Sequence, residues 1–213
     1  MQVEDDFVFP LLKCTDLHRD RLTPGRAVIV PQRTLGQETR GLATTAPKLW
    51  SYLEANGGAL DGRRSSIYRG KPRFSVFGLG PYSFAPWKVA VSGLHGDPMF
   101  RLIGPEFGKP VFFDDTCYLL PFDTPSEAAL VHAILTSDGV RRFLSSVKYL
   151  GAKRPITKKL LRRIDLAAAL DMTDPSEIVR RAQAELGDRT EVSESDLSSF
   201  AESMNEPQGA FAI

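Results

Sequence analysis

Trp87-Lys88-Val89-Ala90-Val91-Ser92-Gly93-Leu94-His95-Gly96-Asp97-Pro98-Met99-Phe100-Arg101-Leu102-Ile103 is the stretch that decides the fold. Two apolar runs, 87–91 and 99–103, flank a segment carrying Gly and Pro, as two strands joined by a turn do. The runs Phe74–Leu79, Val111–Phe113 and Thr116–Leu120 repeat the pattern, and Val28-Ile29-Val30 is a β-branched strand ending at Pro31. Helical spacing brackets these strands. Leu49, Trp50, Leu53 and Glu54 set a helix over 47–60 that Asn56-Gly57-Gly58 stops. Pro125-Ser126 opens a second helix, with Ser126 as its cap and Ala128, Ala129, Val131, Ile134 and Leu135 on its face. Gly139 separates it from a helix over 140–149, and Thr157 caps another that runs to about residue 164. The expected class is α+β: a mostly antiparallel curved sheet with flanking helices, then C-terminal helices and an acidic tail.

The 213 residues and 42% apolar content are enough for a sizeable core. Residues 1–170 read as the body and 171–213 as an amphipathic helix from Asp174-Pro175-Ser176-Glu177 to about Leu186, followed by an unstructured Ser-, Glu- and Asp-rich tail. No run of eighteen apolar residues marks a membrane span, and Met1-Gln2-Val3-Glu4-Asp5-Asp6 is not a secretory leader. Cys14 and Cys117 are too few for a disulfide framework, so a reduced, cytoplasmic, soluble protein is expected.

Charge carries the functional signal. Arg63-Arg64-Ser65-Ser66-Ile67-Tyr68-Arg69-Gly70-Lys71-Pro72-Arg73-Phe74-Ser75-Val76-Phe77-Gly78-Leu79-Gly80 holds five cations and three aromatics without one acidic residue. Residues 141–163 form a second acid-free basic segment. The formal charge of +1 hides an asymmetry: 24 Lys and Arg against 16 Asp and Glu in residues 1–170, and 3 against 10 in residues 171–213. A single basic cluster is usually a solvated face. Two clusters in one body with an acidic tail are the footprint of nucleic-acid binding.

Catalytic signatures are sparse. The stretch 77–80 suggests a glycine-rich cofactor loop only superficially, because Pro81-Tyr82-Ser83-Phe84 should continue extended rather than open a helix. Neither an Asn-Pro-Pro-Tyr nor an Asp-Pro-Pro-Tyr tetrapeptide occurs, and no phosphate-binding loop pattern is present. Asp114-Asp115 reads as a polar turn rather than a metal site, and Asp97, Glu106 and Lys109 have the wrong spacing for a nuclease centre. His18, His95 and His132 lack ligand spacing; His132 should be packed or solvated, and His95 a polar contact in a turn.

Several segments carry a resemblance. They are Phe9-Pro10-Leu11-Leu12-Lys13-Cys14-Thr15-Asp16-Leu17, Ile29-Val30-Pro31-Gln32-Arg33, Arg64-Ser65-Ser66-Ile67-Tyr68, the run 74–90, Asp114-Asp115-Thr116-Cys117-Tyr118 and Lys153-Arg154-Pro155-Ile156-Thr157. Together, over residues 7–166, they resemble the target-recognition domain of adenine-specific DNA methyltransferases of restriction–modification systems, akin to the TaqI-like C-terminal specificity domain. The C-terminal helices also resemble Type I specificity subunits. The resemblance implies sequence-specific recognition of double-stranded DNA for an adenine-N6 methyltransferase. It also implies that the catalytic domain, with its S-adenosylmethionine, belongs to a partner methyltransferase or restriction subunit. In these terms the chain itself is not an enzyme and holds no cofactor and no metal. The DNA-facing residues would be Arg63, Arg64, Ser65, Ser66, Tyr68, Arg69, Lys71 and Arg73, with Lys153, Arg154, Lys158 and Lys159 at a loop and helix N-terminus. Tyr82 and Lys88 are secondary candidates. The alternative is a protein-interaction module or decoy that docks on a methyltransferase or nuclease.

Overall fold

A computed structural model describes residues 3–147 and 154–205. The chain opens with β1 (Val8–Leu12), α1 (Cys14–His18) and β2 (Arg26–Ile29), followed by three short helices, α2 (Leu42–Thr45), α3 (Pro47–Ala55) and α4 (Gly57–Asp61). Asn56 ends α3 as expected, but Gly57 at once starts α4. After the basic segment come α5 (Pro81–Phe84), β3 (Trp87–Ser92), β4 (Arg101–Ile103), β5 (Phe112–Phe113) and β6 (Cys117–Phe122). The C-terminal part is helical: α6 (Pro125–Leu135), α7 (Asp138–Val147), α8 (Lys158–Leu161), α9 (Leu166–Asp171), α10 (Pro175–Leu186) and α11 (Glu194–Asn205). No helix among the described residues is long and apolar enough to cross a membrane.

The class is α+β, but the strands divide between two sheets. One has the order β2-β1-β5, with β1 antiparallel to β2 and parallel to β5. The other, β4-β3-β6, is antiparallel throughout and is the one built from the deciding stretch. Leu12 and Leu17 meet Ala90 and Ile103 in an apolar cluster that joins the two sheets through α1. Beyond the second sheet lies α6, in which every residue from Ala128 to Leu135 is buried. A helix apolar all round must be covered on all sides. Here β3, β4 and β6 cover one side and α9, α10 and α11 the rest. Its cap is Thr124, whose hydroxyl accepts from the Glu127 amide, and not Ser126; Pro125 takes the first helical position and pushes the cap one residue earlier.

Two further expectations change. Residues 74–79 form no strand: Phe74 and Gly78 both have φ in the left-handed region, +67° and +74°, which no ladder tolerates. The acidic stretch after Leu186, expected to be unstructured, instead places Val192 and Leu197 in the core, and α11 packs on α6 and α10.

Candidate nucleic-acid interface

The basic segment is a loop pinned at two places. Phe74 is its deep anchor: at 2 % exposure it fills the cluster of Leu42, Ala46, Leu49 and Leu53 beneath α2 and α3. Burial of that ring offsets the roughly 1–3 kcal/mol that a left-handed non-glycine residue costs. Arg63 is the second anchor. Its guanidinium donates to the carbonyls of Leu60 and Ser75, both at 2.7 Å, and lies 3.8 Å from the centre of the Tyr68 ring. Between these anchors a short 3-10 turn, Ser66–Tyr68, shapes the tip.

The acid-free appearance of the segment does not survive folding. Arg73 donates from Nε and Nη2 to the Asp61 carboxylate and from Nη1 to Glu54 at 2.7 Å. The hydrogen bond from Arg73 holds the Asp61 carboxyl below its ordinary value, and Asp61 with Glu54 holds Arg73 charged. Gly57 is required for this arrangement, because a Cβ there would run into the Arg73 guanidinium. Arg63 and Arg73 are therefore committed to the protein. Asp61 stands only two residues before Arg63, the one signal that sequence reasoning overlooked; Glu54 arrives from the α3 surface.

What remains is a polar hollow of about 440 Å³ lined by Arg63, Arg64, Ser65, Tyr68, Arg69 and Lys71 together with the paired Asp61 and Arg73. Arg64, Arg69 and Lys71 are exposed and make no ion pair among the described residues. Ser66 is exposed but does not line the hollow.

The other expected site residues do not join this hollow. Lys153 lies outside the described residues. Arg154 and Lys159 are exposed, and Lys158 is half-buried. The helix they were to approach, α8, has four residues, and its Leu160 amide donates to the Thr157 hydroxyl. Tyr82 donates to the Gly78 carbonyl at 2.6 Å and braces the loop. Contrary to expectation, Pro81–Phe84 is not extended but makes one helical turn.

Tyr82, Lys88 and Lys158 instead line a second cavity, a cleft of about 380 Å³ walled by both sheets and by residues 76–79. Lys88, 1 % exposed, donates to the Ala85 carbonyl and has no carboxylate partner among the described residues. Burial pulls its amine down to about 8. Asp114, on the rim, is occupied by the turn: it accepts from the Thr116 amide and hydroxyl and from the Cys14 amide. Burial, with Asp114 beside it, pushes the Cys117 thiol up, so it is no nucleophile near neutral pH. His18 and His95, remote in sequence, stack at 3.9 Å between ring centres, and His95 pairs with the Ser92 hydroxyl at 2.7 Å. His132 is buried in α6, with Nε2 3.2 Å from the Phe100 carbonyl oxygen.

The α+β body thus presents a pinned basic loop and, apart from it, a cleft between its two sheets. No family model matches the chain. It is 41% identical over 167 residues to the Type II methyltransferase M.NspV of Nostoc sp. (strain ATCC 29411 / PCC 7524). The match takes in 78% of this chain and 35% of that protein, so the chain spans about a third of its relative's length. The chain is thus related to a Type II methyltransferase. The same finding corrects the expectation that it is not an enzyme, because the relative carrying this sequence is named as one.

Proposed function

We propose that the chain supplies the DNA-gripping and sequence-reading surface of a Type II methyltransferase of a restriction–modification system, acting on adenine in duplex DNA. The observation that carries this function is the hollow at 63–73, where Arg64, Arg69 and Lys71 stand exposed without an acidic partner on a loop that Arg63 and Phe74 hold rigid. Rigid placement matters because phosphate contacts fix register on the duplex, and bound cations then need little reordering. Arginine suits the task, since its planar fork meets phosphate or guanine edges with two hydrogen bonds at once.

Methylation of adenine implies S-adenosylmethionine as the methyl donor. The glycine-bearing stretch 77–80 does not fit it: it follows no strand and opens only a four-residue turn.

The test is binding to a randomised duplex pool at two salt concentrations, with the retained DNA sequenced. Affinity should fall with salt, and each of Arg64→Ala, Arg69→Ala and Lys71→Ala should reduce the log–log slope by about 0.9. Enrichment of a short site establishes sequence reading. Salt-insensitive retention, or slopes unchanged in all three variants, overturns the assignment.

A further inference from the structure

The hollow at 63–73 has a neighbour. A groove of about 770 Å³ is lined by Glu38, Arg40, Trp50 and Glu54 and by the strip 70–73. Lys71, Pro72 and Arg73 line the hollow as well, so the two depressions share this strip as a common wall. Glu38 and Arg40 belong to a second loop, residues 33–40, which buried polar side chains clamp to the first. Gln32, 2 % exposed, donates from Nε2 to the Gln37 carbonyl at 2.6 Å, and its Oε1 accepts from the Val76 amide at 2.9 Å. Thr39, 1 % exposed, donates its hydroxyl to the Arg73 carbonyl at 2.6 Å. The Gln37 amide closes the tip on the Thr34 carbonyl, with Gly36 at the left-handed φ of +85° that such a turn needs. Two buried polar side chains thus hold two exposed loops in one fixed register.

Glu54 is paired with Arg73, but the two charges that the second loop brings to the groove are free. Glu38 and Arg40 are exposed, and neither side chain makes a hydrogen bond or ion pair among the described residues. A free carboxylate repels phosphate, so beside a DNA-gripping loop it weakens binding unless a donor meets it. In the major groove the donors on base edges are amines, N4 of cytosine and N6 of adenine, and carboxylates accept from such a group. Arg40, two residues on, has the charge and the planar fork that suit a phosphate. We propose that Glu38 is a base-reading residue, accepting a hydrogen bond from the exocyclic amine of a cytosine or adenine, while Arg40 holds a neighbouring phosphate. This rests on the DNA-binding function above and names one side chain by which that surface reads sequence. The clamp at Gln32 and Thr39 fixes where the carboxylate stands relative to Lys71 on the shared wall.

The experiment takes the duplex site enriched from the randomised pool and deletes its amines one at a time, with pyrimidinone in place of cytosine and purine in place of adenine. Each duplex is titrated with the unaltered protein and with Glu38→Ala. At one position the deletion should weaken binding by the unaltered protein about tenfold, and that loss should vanish in Glu38→Ala. The base at that position tells cytosine from adenine. Arg40→Ala should lower the salt slope by about 0.9 and weaken the amine-bearing and amine-deleted duplexes alike. Glu38 is exposed and has no partner among the described residues, so its variant keeps the fold. Losses that are the same in Glu38→Ala at every position overturn the assignment. So does a Glu38→Ala protein that binds all the duplexes more tightly by one factor, because the carboxylate would then only repel phosphate. Salt-sensitive binding with no enriched site overturns base reading and leaves DNA gripping standing. Failure to bind any duplex removes the DNA-binding function and the reading residue together.

Discussion

From Ala128 to Leu135 every side chain of α6 is buried, whereas from Arg63 to Lys71 none is. The two regions are held in opposite ways. Many interchangeable apolar contacts from β3, β4, β6, α9, α10 and α11 fix the helix, and no single one of them is specific. The loop is fixed by a few directional contacts: Arg63 to two carbonyls, Arg73 to two carboxylates, and the Phe74 ring in its socket. Stability should therefore be concentrated in the helical layer and DNA affinity in the loop, and substitutions should separate the two.

The largest effect is expected in the helix. Leu130 is 0 % exposed at the centre of α6, so Leu130→Ala should cost about 3 kcal/mol of global stability, read as a shift of the denaturation midpoint. The protein that remains folded should keep the salt slope of DNA binding. A changed slope would break the separation between the two regions.

That contrast also explains what could be read in advance. Thr157 as a cap and α10 from Pro175 to Leu186 follow from local chemistry, and both are present. Residues 74–79 alternate like a strand, but Phe74 goes to the α3 cluster and Leu79 to the cluster around Phe9, two destinations that no local pattern encodes. The cations of the loop were visible as residues. Their division into committed Arg63 and Arg73 and available Arg64, Arg69 and Lys71 depends on partners outside the segment. Val192 and Leu197 show the same limit: two apolar anchors in a Ser- and Glu-rich stretch look like a tail until α6 is there to receive them.

Lys88 lies outside both regions, on a strand that packs against α6 and α1. The unfolded chain keeps its proton up to the ordinary value of 10.5, while the folded protein releases it above about 8. Between those values the unfolded state binds more protons, so this residue adds stability as pH rises and subtracts most below pH 8. Lys88→Met should therefore stabilise the protein at pH 7 by up to about 3 kcal/mol, and the gain should shrink between pH 8 and 10.5. Denaturant titrations of both proteins at pH 7 and pH 10 read it directly. A gain that is the same at both values would mean that the charge is not what separates them.

The finest comparison lies inside the loop, between neighbours of identical type. Arg63 bridges the Leu60 and Ser75 carbonyls and stacks on Tyr68; Arg64 is exposed and makes no ion pair among the described residues. Arg63→Ala should cost about 1.5 kcal/mol of stability, and Arg64→Ala less than about 0.5 kcal/mol. Arg63→Lys separates charge from geometry. A lysine keeps the cation but lacks the planar fork whose Nε and Nη1 meet the Leu60 and Ser75 carbonyls and the flat face that lies on Tyr68, so it should lose much of the stability that alanine loses. Arg64→Lys should keep both stability and most of the salt slope, because a phosphate accepts a point charge nearly as well. If Arg63→Lys were as stable as the unaltered protein, the loop would be held by charge alone, and its rigidity would not be the reason that its free cations are in place.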